Sequence, residues 1–272
     1  MSSAKNLTVF VINLDRSPER LRHFVADNAL PGIDIARVPA VDGKDLNRAE
    51  LVARGIIADD LVYTDGCIGC SLSHMTCWQE AVRRNEAIVV CEDEAVLRHD
   101  FATVHRDLST EIAQSDIVFW GFNRDMHIAY DVPGLGECIS IFDDDHLNDE
   151  ARIGGFQAAA TPTKLWRVRR IFGMPCYTIT PKGAARLMGR LLPLRNGVAS
   201  ARYASGLGKH HQLRFQSLGI DMDVGIVHID AINARVAVPP LAVSRHDKAN
   251  STLGGEDWRT RLQPGARLGI GQ

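Results

Sequence analysis

Glu92, Asp93 and Glu94 follow directly on the apolar run Ala87-Ile88-Val89-Val90-Cys91, so three carboxylates stand where a buried strand would end. Isolated carboxylates are costly to desolvate, and a cluster at a strand's carboxyl end calls for a cation, a hydroxyl or water beside it. In an extended segment Glu92 and Glu94 face one side and Asp93 the other, which lets the first and third acids share one divalent cation or one ligand. The alternative is a solvated acidic turn. Other sets of chemically capable residues are weaker. Cys67 and Cys70 form a C-x-x-C, but no second cysteine or histidine pair completes a tetrahedral zinc site. Asp143 to His146 reads first as a solvated loop. Arg167, Arg169 and Arg170, and Lys209, His210 and His211, are basic clusters without interleaved aromatics to stack bases, and read as solvated faces.

The elements around the acids follow from patterning. Thr8 to Leu14 reads as a strand that turns at Asp15-Arg16-Ser17-Pro18 into a helix, with Ser17 as cap and Pro18 as first helical residue. A second strand from Ile35 to Val41 closes at Asp42-Gly43. Gly66 to Ser71 leads into a helix with Leu72, Met75, Trp78 and Val82 on one stripe, which feeds the acid-tipped strand. Asp100 opens a further helix, and Asp116 to Phe122 reads as another buried strand. Strand and helix thus alternate, the mark of an α/β fold with a mostly parallel sheet flanked by helices. In such sheets ligands bind outside the carboxyl ends of the strands. Asn13 to Arg16, Asp42 and Glu92 to Glu94 all fall at such ends, so three segments converge on one crevice.

The second half is less regular. Residues 123–172 and 195–219 read as loop-rich insertions, the latter basic, separated by a strand from Met174 to Ile179 and a helix from Thr180-Pro181 to about Leu192. Strands are expected over Asp223 to His228 and Arg235 to Val243, and residues 254–272 form a tail with few apolar anchors. With 272 residues and 45% hydrophobic content, residues 1–253 can form one full domain. A net charge of −2 argues against nucleic acid as a partner. Six scattered cysteines read as reduced thiols, and Met1 to Asn6 has neither a basic start nor an apolar core, so a cytoplasmic protein is expected.

Three stretches, in order, resemble glycosyltransferase family 25, the lipooligosaccharide and collagen galactosyltransferases. Val11 to Arg16 with Glu19-Arg20 is similar to the family's opening strand and helix. Gly69-Cys70-Ser71-Leu72-Ser73-His74 with Trp78, followed by the acids, is similar to its G-C-x-x-S-H-x-x-x-W and E-D-D. Cys176 to Thr180 with Gly183-Ala184, then Ile220-Asp221, Pro239-Pro240-Leu241 and Ser251, complete the series. The resemblance implies a GT-A type Rossmann-like fold, a UDP-sugar donor, most often UDP-galactose, and a divalent cation, Mn²⁺ or Mg²⁺. It further implies an inverting transfer to a saccharide such as lipooligosaccharide. A small-molecule or peptide acceptor stays open, because Arg259, Arg261 and Arg267 would give at most weak peripheral docking at the inner membrane, about 1 kcal/mol per basic residue.

Roles follow from the resemblance position by position. Glu92 and Glu94 would hold the metal, although Glu94 stands where the family usually has Asp, and the extra methylene moves its carboxylate. Asn13, Asp15, Arg16, Arg20, Asp42, Ser73, His74 and Asp93 would line the donor site, with Arg245, His246 and Ser251 approaching the diphosphate from the carboxyl-terminal side. Arg20 reads equally well as a surface ion pair, Asp42 as the Asp-Gly turn, and His74 as a packed histidine near Trp78. Inversion needs one general base. Asp221 is the first candidate and Asp223, two residues on in the expected strand, the second. A catalytically silent nucleotide-sugar-binding or scaffold protein, and a metal-dependent hydrolase, are the competing readings.

Overall fold

A computed structural model describes residues 5–124, 126–142, 149–204 and 210–245, with the backbone alone described for 199–204, 210–213 and 215. The strands of the first half are β1 (Leu7–Asn13), β2 (Ile33–Pro39), β3 (Ile88–Glu92), β4 (Ala95–Leu97), β5 (Ile117–Phe119), β6 (Ile128–Val132) and β7 (Gly136–Ser140). Those of the second are β8 (Lys164–Arg170), β9 (Cys176–Ile179), β10 (Val198–Ala204), β11 (His210–Gln216), β12 (Ala234–Val238) and β13 (Ala242–Ser244). Helices are α1 (Pro18–Asp27), α2 (Arg48–Ala53), α3 (Asp65–Arg84), α4 (Phe101–Asp107), α5 (Ser109–Gln114), α6 (Glu150–Gln157), α7 (Pro181–Leu191) and the short α8 (Ile220–Met222).

The fold is α/β, with a large central sheet between helices. Nine strands run in the order β2-β1-β3-β9-β5-β12-β8-β6-β7. The sheet is mixed. Parallel pairing joins β1 to β2 and β3, and β5 to β12, whereas β9, β8 and β7 run against their neighbours. Alternation along the strands sorts the core into two layers. Phe10, Val90, Ile117 and Tyr177 face Trp78 of α3 and Leu187 of α7, while Val9, Val89, Val118 and Cys176 face Phe24 of α1 and Phe101 of α4.

Order along the chain sets the crevice. The chain passes from β1 to β2 on one side and later returns as β3 on the other, so the direction of winding switches at β1. A cleft opens outside the carboxyl ends of the strands at such a point. Asn13 ends β1 and Glu92 ends β3, with Ile12 in register with Glu92.

Several expected boundaries are corrected. Residues 123–172 are not mainly loop: β6, β7 and β8 extend the sheet, and α6 forms across Gly154-Gly155. Asp149 caps α6 through Ala151 N at 3.0 Å, and Ile153 is buried with Val96 and Val243, so tertiary burial overrides the glycines. Residues 195–219 include the β10–β11 hairpin. The strand expected from Asp223 to His228 is instead a wide π-helical turn, Asp223–Val227, continuing α8. His246, Ser251, Asp143 to His146, Lys209 and the tail from 254 lie outside the described residues.

Candidate active site

Asp93 and Glu94 form the turn between β3 and β4, and Asp93 is fully matched. Its Oδ2 accepts from Asn13 Nδ2 at 2.7 Å and its Oδ1 from Arg20 Nε at 2.8 Å. Asn13 is itself buried: its amide also donates to Ser17 O at 2.9 Å, and its Oδ1 accepts from Arg37 Nε at 3.1 Å. Asp93 therefore ties the end of β3 to α1 and the end of β1. Arg37 also takes Asp15 as an ion pair.

Glu92 and Glu94 are differently placed. Glu94 is pushed up to about 7 by burial and by the neighbouring negative charge of Glu92, with Ser244 and Arg20 pulling the other way. Its Oε1 accepts from Ser244 Oγ at 2.5 Å, and Arg20 stands 3.8 Å from its Oε2. Ser244 arrives because β13 pairs antiparallel with β4, placing Ser244 opposite Ala95. Sequence reasoning missed this serine, whose partner lies 150 positions away. It holds the longer side chain of Glu94 in one place.

Glu92 is oriented from below by a buried relay. Trp78 Nε1 donates to Tyr177 Oη at 2.9 Å, and Tyr177 Oη lies 2.9 Å from His74 Nδ1. The arrangement assigns the tyrosine proton to Nδ1, which leaves His74 Nε2–H aimed at Glu92 Oε1, 3.5 Å away. His74 thus reaches an acid through one nitrogen while the other is fixed by packing. Tyr177 is the second residue without an assigned role in the sequence reading. Its place in β9 alternates with Cys176, which puts it on the α3 side of the sheet.

A helix entered after Gly66 to Ser71 puts Ser73 and His74 in its first turn, near unpaired backbone N–H groups. The helix in fact begins at Asp65, where Thr64 Oγ1 accepts from Cys67 N at 3.1 Å, so both residues sit mid-helix. Ser73 is buried; its hydroxyl donates to Gly69 O at 2.7 Å and accepts from Val41 N at 2.8 Å, clamping the loop after β2 to α3. Glycine permits that approach: a Cβ on Gly69 would meet Val41 O at 2.5 Å, and one on Gly43 would meet Asp65 O at 2.4 Å. The clamp positions Asp42, which caps the following turn through Lys44 N at 3.1 Å and pairs with Arg16 at 2.5 Å. Asp42 thus makes the Asp-Gly turn, and its side chain also bears an arginine.

Asp221 joins the acids from the far side. It accepts from the backbone N–H groups of Met222 and Gly173, and its carboxyl is raised by burial and by Glu92, with His74 acting the other way. Asp223 does not join it. Because the segment is helical and not extended, residues two apart diverge, and Asp223 Oδ2 accepts from Tyr63 Oη at 2.6 Å inside the protein. Tyr63 Oη lies 2.6 Å from Ser217 Oγ, and Asp223 is 3% exposed, which seals the group from any acceptor. Arg245 is also corrected: Asp27 at 2.9 Å and Glu150 at 2.5 Å hold its guanidinium, and only its backbone N–H reaches the site, at Glu94 O.

The assembled site is Glu92, Glu94 and Asp221, drawn from two distant segments, with Cys70 beside them. Burial and the charges of Glu92 and Asp221 push the Cys70 thiol well up, which favours the neutral thiol. Among the described residues no group of three or more His, Cys, Asp or Glu forms a metal cage. Two hard carboxylates remain, Glu92 and Glu94, whose mutual repulsion a cation would relieve. That donor set fits Mg²⁺ or Mn²⁺ completing its shell with phosphate oxygens and water.

An α/β sheet with acids at a switch in winding agrees with a Rossmann-like glycosyltransferase fold. Residues 6–201 match the family described as glycosyltransferase family 25 (LPS biosynthesis protein), and the chain belongs to that family. It is 32% identical over 118 residues to human procollagen galactosyltransferase 2, covering 40% of this chain and 19% of that protein. It is 37% identical over 95 residues to a glycosyltransferase 25 family member of Anopheles gambiae, 32% of this chain and 16% of the relative. Mouse inactive glycosyltransferase 25 family member 3 is 31% identical over 147 residues, 47% of this chain and 24% of the relative. The aligned regions thus span between about a sixth and a quarter of these relatives' lengths.

Proposed function

We propose that the chain is an inverting, cation-assisted glycosyltransferase of GT-A type. It moves a hexosyl group, galactose first among the candidates, from a UDP-sugar to a hydroxyl of a saccharide acceptor such as lipooligosaccharide, or of a small molecule or peptide. One observation carries this reading: Glu92, Glu94 and Asp221 converge with excess negative charge, while the neighbouring Asp93 is neutralised by Arg20 and Asn13. Charge matched in that way is architecture, and charge left over calls for a cationic or proton-bearing ligand.

Each residue then has one task. Glu92, oriented by His74, and Glu94, held by Ser244, would bind Mn²⁺ or Mg²⁺. When bound, the ion supplies Lewis-acid stabilisation of the charge on the departing diphosphate. Asp221 takes the acceptor hydroxyl's proton as the acceptor oxygen bonds to the anomeric carbon and the electron pair of the breaking bond leaves with UDP. Its raised proton affinity suits that task, since a useful base titrates toward the working pH. Arg16 and Arg20, at the mouth of the same crevice, can orient the nucleoside and phosphates.

The test is melting of the full chain with UDP-galactose and other UDP-sugars, with and without Mn²⁺, followed by UDP release with saccharide acceptors. A donor at a hundred times its Kd stabilises by about 2.7 kcal/mol, a shift of roughly 5–10 °C for a chain of this size. Failure of every nucleotide sugar to shift melting sinks the reading. Donor binding without UDP release across a broad acceptor panel replaces it with the silent-protein reading.

A further inference from the structure

A second polar recess lies off the crevice, on the segment that carries Asp221. It has a volume of about 280 Å³ and is lined by Asp131, Arg169, Arg170, Asp230 and Glu137, with Ile226 and Ile229. Two hydrogen bonds relate it to the site: Gly173 N–H to the Asp221 carboxylate, and Ile171 N to Gly225 O at 3.0 Å. Residue 170 is three positions before Gly173, so the recess begins no more than about 11 Å from the residue that holds the proposed base.

We propose that this recess binds one sugar ring of the acceptor, a subsite next to the ring that is glycosylated. The proposal rests on the transferase reading above and adds to it the acceptor's class: a saccharide of at least two rings. A sugar ring has an apolar C–H face and a rim of vicinal hydroxyls that both donate and accept. The recess answers the hydroxyl rim with carboxylates and guanidinium groups, set beside two isoleucines that are themselves largely covered. Arg169 reaches Asp131 Oδ2 through Nε at 2.8 Å and Asp230 Oδ1 at 3.3 Å, which lines up acceptor, donor and acceptor across the opening. Arg170 NH1 lies 3.2 Å from His127 Nε2, which fixes the deeper guanidinium. Its three acids and two arginines nearly cancel, which favours a neutral polyol over a phosphate or a strongly cationic ligand. Volume agrees as well, since about 280 Å³ lies at the lower edge of small-molecule sites, roughly 300–1,000 Å³. A purely structural role is a poor account, because Asp230 is 76% exposed and a pair so open to water adds little stability.

The experiment is saturation-transfer NMR on the full chain without donor, using methyl glycosides of galactose, glucose and N-acetylglucosamine. At least one glycoside is expected to receive saturation, reduced at least fivefold in Asp230→Ala and Arg169→Ala and partly restored in Arg169→Lys, which keeps the charge but loses the fork. No saturation of any glycoside, or undiminished saturation in both alanine variants, overturns the proposal. Should Arg169→Ala melt early, Asp230→Ala alone decides, since that side chain is largely in water. The donor-induced melting shift is read in parallel: its absence beside a retained glycoside signal removes the transferase reading and leaves the recess, and the reverse removes the recess alone.

Discussion

Asp221 and Asp223 stand two residues apart on one helical segment, and their surroundings are opposite. Asp223 is closed in by Tyr63 and Ser217, and although burial raises it to about 6, its hydrogen bonds pull it back toward ionisation. Among the described residues Asp221 accepts from backbone N–H groups and faces the charge of Glu92. The first acid of the pair is therefore available to a ligand and the second is a buried brace. The π-helical turn makes the division, since widening the helix after Met222 rotates Asp223 toward Tyr63. What separates function from architecture here is compensation: both carboxylates are desolvated, but Asp223 is met by two side-chain hydroxyls, whereas Asp221, held by backbone N–H groups, keeps the charge of Glu92 beside it.

The comparison breaks most visibly at Asp221. Replacing it with Asn keeps the shape and the backbone contacts but removes the proton acceptor, so turnover should fall about 10²–10⁴-fold while the donor-induced melting shift persists. Unchanged turnover would remove Asp221 from the reaction. Tyr63→Phe tests the other half. It leaves buried Asp223 and Ser217 short of a partner, at a cost of about 1–3 kcal/mol, or roughly 2–12 °C in melting temperature. Donor affinity should not change. A Tyr63→Phe variant that melts normally yet loses turnover would reverse the two roles.

How much of this was legible in the sequence follows the same line. Glu92 to Glu94 and Asn13 could be placed because a buried strand ending in polar residues is a local signal, and the α/β alternation needed only period and caps. The direction in which Asp223 points was not legible, because Val224 and Ile226, two apart between Asp223 and His228, fit a strand as well as a helical turn. Ser244 and the His74–Tyr177–Trp78 relay were invisible for another reason. Their partners are set by strand order, β9 beside β3 and β13 beside β4, and no spacing within one segment encodes a cross-sheet neighbour. Tertiary burial likewise defeated local propensity at Gly154-Gly155, where Ile153 decides.

Glu94 sharpens the contrast through pH. Its folded carboxyl is raised to about 7 against an unfolded value near 4.5, so its favourable contribution to the free protein is complete below 4.5 and is lost as pH rises through 7. Glu94→Gln cannot ionise. The variant should match the wild type near pH 4 and melt higher at pH 8, by a free energy of about 1–3 kcal/mol. Mn²⁺ with UDP should then stabilise the wild type and leave the variant unmoved. A variant that melts lower at pH 8 in the absence of metal would show that Glu94 is a structural partner of Arg20, in the manner of Asp93.

Ser244→Ala gives the smallest effect and the finest test. The hydroxyl donates to Glu94 Oε1 at 2.5 Å, and that bond favours the ionised carboxylate. Without it the Glu94 carboxyl rises further, less of it is ionised at neutral pH, and a cation has a weaker site. The variant should therefore lose up to about tenfold in metal-dependent turnover at pH 7, the consequence of a shift of one unit or less, and recover most of it by pH 8.5. The acid limb of the pH–rate profile moves to higher pH while the plateau stays. A structural serine predicts something else, a lower plateau with the acid limb unmoved, because loss of packing would not depend on the proton. The position of that limb in Ser244→Ala thus tells whether the extra methylene of Glu94 is held by β13 in a working place or is merely accommodated.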